Sequence, residues 1–70
     1  MSKFSSRLQE LRLEQGLSCL QLSKKIGTTD ATIGRWEQGK QSPNIKYLEL
    51  LAKFFDVSAD YLIGLKDDSK

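Results

Sequence analysis

The stretch that most constrains this chain is SCLQLSKKIGTTDATIGRWEQG, residues 18–39. Ser18 is followed three positions later by Gln21, so the hydroxyl can accept from an early backbone amide while the carboxamide reaches back, the capping box that opens a helix. Leu22 and Ile26 then lie four apart and share one helical face. Gly27 follows, suited to the left-handed conformation in which helices often stop. Only Thr28 separates it from Thr29, a good N-cap for a second helix. In that helix Ile33 and Trp36 face inward, which leaves Asp30, Ala31, Thr32 and Arg35 on other faces, free to touch something else.

Two helices joined by so tight a turn cross steeply, and the second projects its outer face past the first. This is the helix-turn-helix arrangement, whose second helix enters the major groove of DNA. The pattern Leu17-Ser18, Leu22, Gly27, Thr29, Ile33 and Arg35-Trp36-Glu37-Gln38-Gly39 resembles the phage repressor and Cro-like helix-turn-helix family, whose members run L-S-Q-x-x-L-A-x-x-x-G-V-S-x-x-x-I-S-x-W-E-x-G. The resemblance covers about residues 4 to 63. It implies an all-α, compact five-helix lambda-repressor-like DNA-binding domain over residues 3–64, followed by a flexible tail at residues 65–70.

Seventy residues make one small domain, at a size where a single core is only marginally sufficient. With 39% aliphatic and aromatic residues, 29% charged residues and one proline, the composition is that of a soluble helical protein. No apolar run approaches the roughly 18 residues of a membrane span, and MSKFSSRLQE lacks the apolar core of a signal peptide. The expected compartment is the cytoplasm, by the resemblance that of a bacterial or phage-infected cell. Cys19 is the only cysteine and histidine is absent, so neither a disulfide, a metal site nor a cofactor is expected. No catalytic constellation is present either, and an enzyme is the least supported reading. Cys19 near a helix start has one other reading, a thiol of lowered pKa acting as a redox switch.

The net charge of +2 is small, but residues 24–46 carry Lys24, Lys25, Arg35, Lys40 and Lys46 against Asp30 and Glu37. The positive charge sits on the proposed reading unit, the footprint expected for phosphate contact. An ordinary solvated face accounts for such a modest patch too.

Elsewhere Phe4, Leu8 and Leu11 recur at spacings of four and three, predicting an amphipathic helix over about residues 3–15 that stops at Gly16. Ser42 as N-cap with Pro43 at the first helical position predicts the start of a fourth helix running to about Phe55. Val57 and Ser58 break and recap the chain into a short fifth helix holding Tyr61, Leu62 and Ile63. No strand-like alternation appears. The expected core is Phe4, Leu8, Leu11, Leu17, Leu22, Ile26, Ile33, Trp36, Ile45, Leu48, Leu51, Ala52, Phe55, Val57 and Leu62. Trp36 beside a basic patch has a second reading as a base-stacking residue, but its spacing from Ile33 favours the core. Leu50, Phe54 and Tyr61 are left over, a candidate dimer contact.

The resemblance also implies roles for single residues. An Arg at position 12 pairs in the family with the Glu of W-E-x-G, here Glu37, which would tie the first helix to the end of the third. Asp30, Ala31, Thr32 and Arg35 are the expected base contacts. An aspartate accepts only, so Asp30 either takes a hydrogen bond from cytosine or compensates the helix dipole. The methyl groups of Ala31 and Thr32 suit thymine, and the planar fork of Arg35 suits guanine O6 and N7. Thr29, Gln38, Lys40, Asn44 and Lys46 are the expected phosphate contacts. Cys19 stands where the family has a phosphate-binding Gln, so either that clamp is weaker here or Ser18 and Gln21 supply it. Gly34 departs from the usual Ser and permits close backbone approach.

The leading expectation is therefore a sequence-specific, double-stranded DNA-binding transcriptional regulator. A repressor dimer on a two-fold symmetric operator is expected, with half-sites about 34 Å apart, and whether it pairs free in solution or only on DNA is left open. The alternative is a protein-binding module of the same fold, an antitoxin-like or regulator-sequestering partner, which Asp30 and the small charge favour. An end at Lys70 fits either a whole protein or the DNA-binding piece of a longer one.

Overall fold

The computed structural model describes residues 3–67, which form five helices and no strand. In chain order they are α1 (Phe4–Glu14), α2 (Cys19–Ile26), α3 (Asp30–Glu37), α4 (Ile45–Phe55) and α5 (Ala59–Ile63). Four of the five begin on a side-chain cap. The Ser18 hydroxyl accepts from the Gln21 amide at 3.0 Å while Gln21 Oε1 accepts from the Ser18 amide at 2.8 Å. Thr29, Asn44 and Ser58 cap α3, α4 and α5 in the same way through the amides of Thr32, Tyr47 and Tyr61. Such caps satisfy orphan amides at about 1 kcal/mol each. They fix where each short helix starts, although none of these helices is long enough to persist alone.

Gly27 makes the turn that crosses α3 over α2. Its φ of +86° is open to glycine at no steric cost, and the amides of Gly27 and Thr28 both donate to the Ser23 carbonyl, at 2.8 and 2.9 Å. Ser23 is itself buried, its hydroxyl donating to the Leu20 carbonyl at 2.7 Å. A small residue there lets α2 approach its neighbours.

The buried set is Phe4, Leu8, Leu22, Ile26, Ile33, Trp36, Leu51, Phe55 and Leu62, with Leu11, Leu17, Cys19, Tyr47, Leu48, Ala52 and Val57 packed around it. Trp36 is the hub. Phe4 meets its ring edge-on at 6.3 Å and Tyr47 lies tilted against it at 5.5 Å, so one indole joins α1, α3 and α4. Its Nε1 is buried with no hydrogen-bond partner among the described residues. Trp36 is therefore a core residue, not a platform for bases.

Two expectations are corrected. The fourth helix is capped by Asn44, not Ser42, so Pro43 precedes the helix instead of opening it. With the start moved, Ile45 occupies the first helical position and is 74% exposed, not core. Tyr47 and Leu48 close the core at that end. After α5, residues 65–67 are bonded back to the fold. The Leu65 amide donates to the Asp60 carbonyl at 2.8 Å, and the Arg7 guanidinium donates to the carbonyls of Tyr61 and Lys66 and, at 3.1 Å, to Asp67. The rest of the expected tail, residues 68–70, lies outside the described residues.

Gly34 sits in the middle of α3, and a methyl group built there would meet nothing within 4 Å. The fold makes no use of the missing side chain. Gly34→Ala should therefore stabilise the domain by about 0.5–1 kcal/mol, since glycine costs that much in a helix interior. Thermal or urea denaturation checks it; a loss of stability would mean that the open space is filled in solution.

Candidate nucleic-acid interface

The third helix is anchored on one side and open on the other. Ile33 and Trp36 hold it to the core, and Glu37 adds an ionic anchor. Glu37 Oε2 accepts from Arg12 Nε at 2.6 Å and Oε1 from Arg12 Nη2 at 3.0 Å, while Arg12 Nη1 donates to the Leu17 carbonyl at 2.8 Å. The side chains are only 11% and 7% exposed. The hydrogen bond that Arg12 donates to Glu37 holds its guanidinium above its ordinary pKa, against the opposing effect of burial. One fork thus fixes α1, the α1–α2 connection and the end of α3 relative to one another.

On the opposite face Asp30, Ala31 and Arg35 are exposed and Thr32 is half-buried. Asp30 Oδ1 accepts from the Ala31 amide at 2.9 Å, at the helix end where a carboxylate is favoured by the dipole. The Thr32 hydroxyl lies 2.9 Å from that of Thr29, and its amide donates to Thr29 Oγ1 at 3.2 Å. Both threonine hydroxyls are thus occupied by each other, which leaves the Thr32 methyl as its freer group. Arg35 Nε donates to Gln41 Oε1 at 3.2 Å.

The starts of α2 and α4 also carry side-chain caps. At α2 the capping box uses the acceptor oxygens of Ser18 and Gln21, while the hydroxyl proton and the carboxamide N–H groups take no part in it and can bind phosphate. At α4 the Asn44 Oδ1 is spent on the Tyr47 amide, at 2.9 Å. That leaves the Asn44 Nδ2 donors, with the first amides of α4, which lack intrahelical partners, to meet an anion. Gln38 and Lys40 are exposed on the turn after α3, and exposed Lys46 has its Nζ 5.8 Å from the Tyr47 ring centre.

Cys19 is half-buried, and burial first, then the Glu37 carboxylate, pushes its thiol up despite the opposing Arg12 charge. The lowered pKa weighed from its place at a helix start is overturned by this burial. Tyr61 is also corrected. It is half-buried, with the Arg7 guanidinium 4.1 Å above its ring centre, and belongs to the packing of α5 on α1. Leu50 and Phe54 remain exposed, Phe54 resting edge-on against Phe55 at 5.0 Å. Ile63 and Leu65 are exposed as well.

Arg7 and Gln41 were not singled out from the sequence. Arg7 is 9% exposed, yet its partners lie 54 or more positions away and are mostly backbone carbonyls, which carry no side-chain signature. Gln41 bonds across a turn whose geometry is set by Gly39 and Lys40.

The helix-turn-helix family profile matches residues 8–62. The chain is 36% identical over 62 residues to the HTH-type transcriptional activator BcrR of Enterococcus faecalis, covering 89% of this chain and 30% of that protein. It is 37% identical over 61 residues to the cryptic phage CTXphi transcriptional repressor RstR of Vibrio cholerae, covering 87% of this chain and 55% of that one. The chain thus spans about half, or less, of the length of these relatives. Its backbone superposes on the P22 c2 repressor, crystallised with synthetic operator 9T, with a TM-score of 0.82 at 28% identity, over 86% of this chain and 91% of the repressor. With its five helices, capped turn and projecting third helix, the chain belongs to the helix-turn-helix family, in its phage repressor and Cro-like branch.

Proposed function

We propose that this chain is a sequence-specific DNA-binding transcriptional regulator, a repressor that sets α3 into the major groove of a two-fold symmetric operator. The observation that carries it is the open face of α3, with Asp30, Ala31 and Arg35 exposed on a helix whose other side is locked by Ile33, Trp36 and the Arg12–Glu37 fork. A rigid helix with small residues before an exposed guanidinium suits base edges. The capped starts of α2 and α4, with Gln38, Lys40 and Lys46, suit the phosphates on either side, and the likeness to a repressor bound to operator DNA supports the same docking.

One α3 reads too few base pairs to be selective, so two copies are expected on half-sites about 34 Å apart. The Cα envelope measures 27 × 22 × 21 Å, so neighbours at that spacing touch only at their edges. Stable interfaces bury about 800 Å² per partner. An edge contact through Leu50 and Phe54 falls short of that, and the dimer therefore forms on DNA. Repression follows from occlusion of a promoter, and the relative RstR is named a transcriptional repressor; a reporter that loses expression when the chain is supplied supports this sign, and one that gains expression reverses it.

The test of readout is selection from a random duplex library by the wild type and by Arg35→Ala. The expected wild-type motif is two-fold symmetric with centres about 10 base pairs apart. Arg35→Ala should relax one pair per half-site by about 1–3 kcal/mol and leave the others. The alternative, a protein-binding module, is favoured by one feature, the Asp30 carboxylate, which repels phosphate. It takes over if no motif is enriched and binding simply vanishes as salt rises.

A further inference from the structure

The Arg35 side chain is not loose on the outer face of α3. Its Nε donates to Gln41 Oε1 at 3.2 Å. The main chain brings the two together: α3 ends at Glu37, Gly39 turns with φ of +75°, and the Lys40 amide donates back to the carbonyl of Arg35 itself at 2.9 Å. Gln41 caps no helix, is exposed, and belongs to none of the packing that holds the core. Its bond to Arg35 is the contact that gives it a place.

From this contact we infer that Gln41 is a positioning residue for base recognition, setting the plane and approach of the Arg35 guanidinium. The inference rests on the proposed entry of α3 into the groove. A guanidinium can offer two parallel N–H bonds to guanine O6 and N7 from either of two edges. One edge pairs Nε with a terminal nitrogen; the other is the end formed by Nη1 and Nη2. With Nε held by Gln41 the end alone remains, and the fork meets guanine head-on. Holding a long side chain before binding also removes part of the ordering cost, so correct contact gains and mismatched contact does not. The Gln41 carboxamide N–H groups take no part in this bond and can face a phosphate oxygen.

The experiment compares base preferences selected from random-sequence duplex DNA by the wild type, Arg35→Ala, Gln41→Ala and Gln41→Glu. Arg35→Ala marks the pair that Arg35 reads. Gln41→Ala should then lower the preference for guanine at that pair by about three- to tenfold, with the other positions and the thermal midpoint unchanged. Gln41→Glu keeps an acceptor for Nε and should restore the preference, while its added charge near phosphates weakens binding to all sequences alike. The proposal is overturned if Gln41→Ala keeps the wild-type preference at the marked pair. It is equally overturned if that variant weakens every sequence by the same factor, which would make Gln41 a plain phosphate contact. If Arg35→Ala marks no pair at all, the assignment of Arg35 as a reading residue falls, and the role of Gln41 falls with it.

Discussion

Glu37→Ala should lower the stability of this domain by about 3–5 kcal/mol, the range for removing one partner of a buried ion pair. The Arg12 guanidinium would keep its bond to the Leu17 carbonyl. It would lose both carboxylate bonds, at 2.6 and 3.0 Å, while staying packed where only 11% of its side chain meets water. An uncompensated charge in that position costs more than the pair gains, because the penalty of desolvation is no longer offset. A domain of this size shifts its melting point by about 4–8 °C per kcal/mol, so a drop of roughly 12–40 °C is expected. Arg12→Met with Glu37→Leu removes both charges and should recover much of the loss. Thermal denaturation of the single and double variants decides the matter; a Glu37→Ala midpoint within a few degrees of wild type would mean that water reaches the fork. The consequence for function is geometric. The fork ties α1 to the end of α3, and a loosened α3 presents Arg35 at no fixed angle.

The parts of the fold legible in the sequence are those whose causes are local. Ser18 with Gln21, Gly27 and Thr29 specify the turn within a dozen residues, and the caps and the left-handed glycine stand where these residue types place them. Leu22, Ile26, Ile33 and Trp36 repeat at helical spacing because they share one buried face. Where two local signals competed, the reading failed. Ser42-Pro43 and Asn44 both resemble a helix start, and the choice between them is made by the packing of Tyr47 against Trp36, which the local pattern does not contain. Ile45 followed from that error. The candidate site is legible to a similar degree. Exposure of Asp30, Ala31 and Arg35 follows from periodicity, but the pairing of Thr29 with Thr32 and the hold of Gln41 on Arg35 depend on side-chain placement around turns. Burial of Cys19 was likewise a tertiary effect. Its neighbours Arg12 and Glu37 come from α1 and α3, so a helix-start argument alone gave the wrong direction for its thiol.

Arg7→Met should detach α5 at a cost of roughly 2–4 kcal/mol. The change keeps most of the aliphatic stem and removes the charged donors, and hydrogen bonds to charged groups contribute about 1.5–3 kcal/mol each. Three acceptors lose this donor: the carbonyls of Tyr61 and Lys66, and the Asp67 carboxylate. The stacking over Tyr61, at 4.1 Å from the ring centre, goes as well. Asp67 retains Lys3, whose hydrogen bond is the first cause holding that carboxyl below its ordinary pKa, but it is fully exposed and holds the chain weakly. A five-residue helix has no stability of its own; α5 keeps only Leu62 in the core and the Ser58 cap. The loss should therefore be regional. Amide exchange is expected to speed up most in α5 and at Leu65, by more than in α2 or α3, which share no hydrogen bond with Arg7. Uniform acceleration across all five helices would show that α5 unfolds only with the whole domain, and unchanged exchange in α5 would show that Arg7 does not hold it. Regional loss would leave a domain whose α3 face is intact while Ile63 and Leu65, two of its exposed apolar residues, come loose. Wild-type affinity for a single half-site with impaired pairing on the full operator would then locate the contact between copies at this end of the molecule.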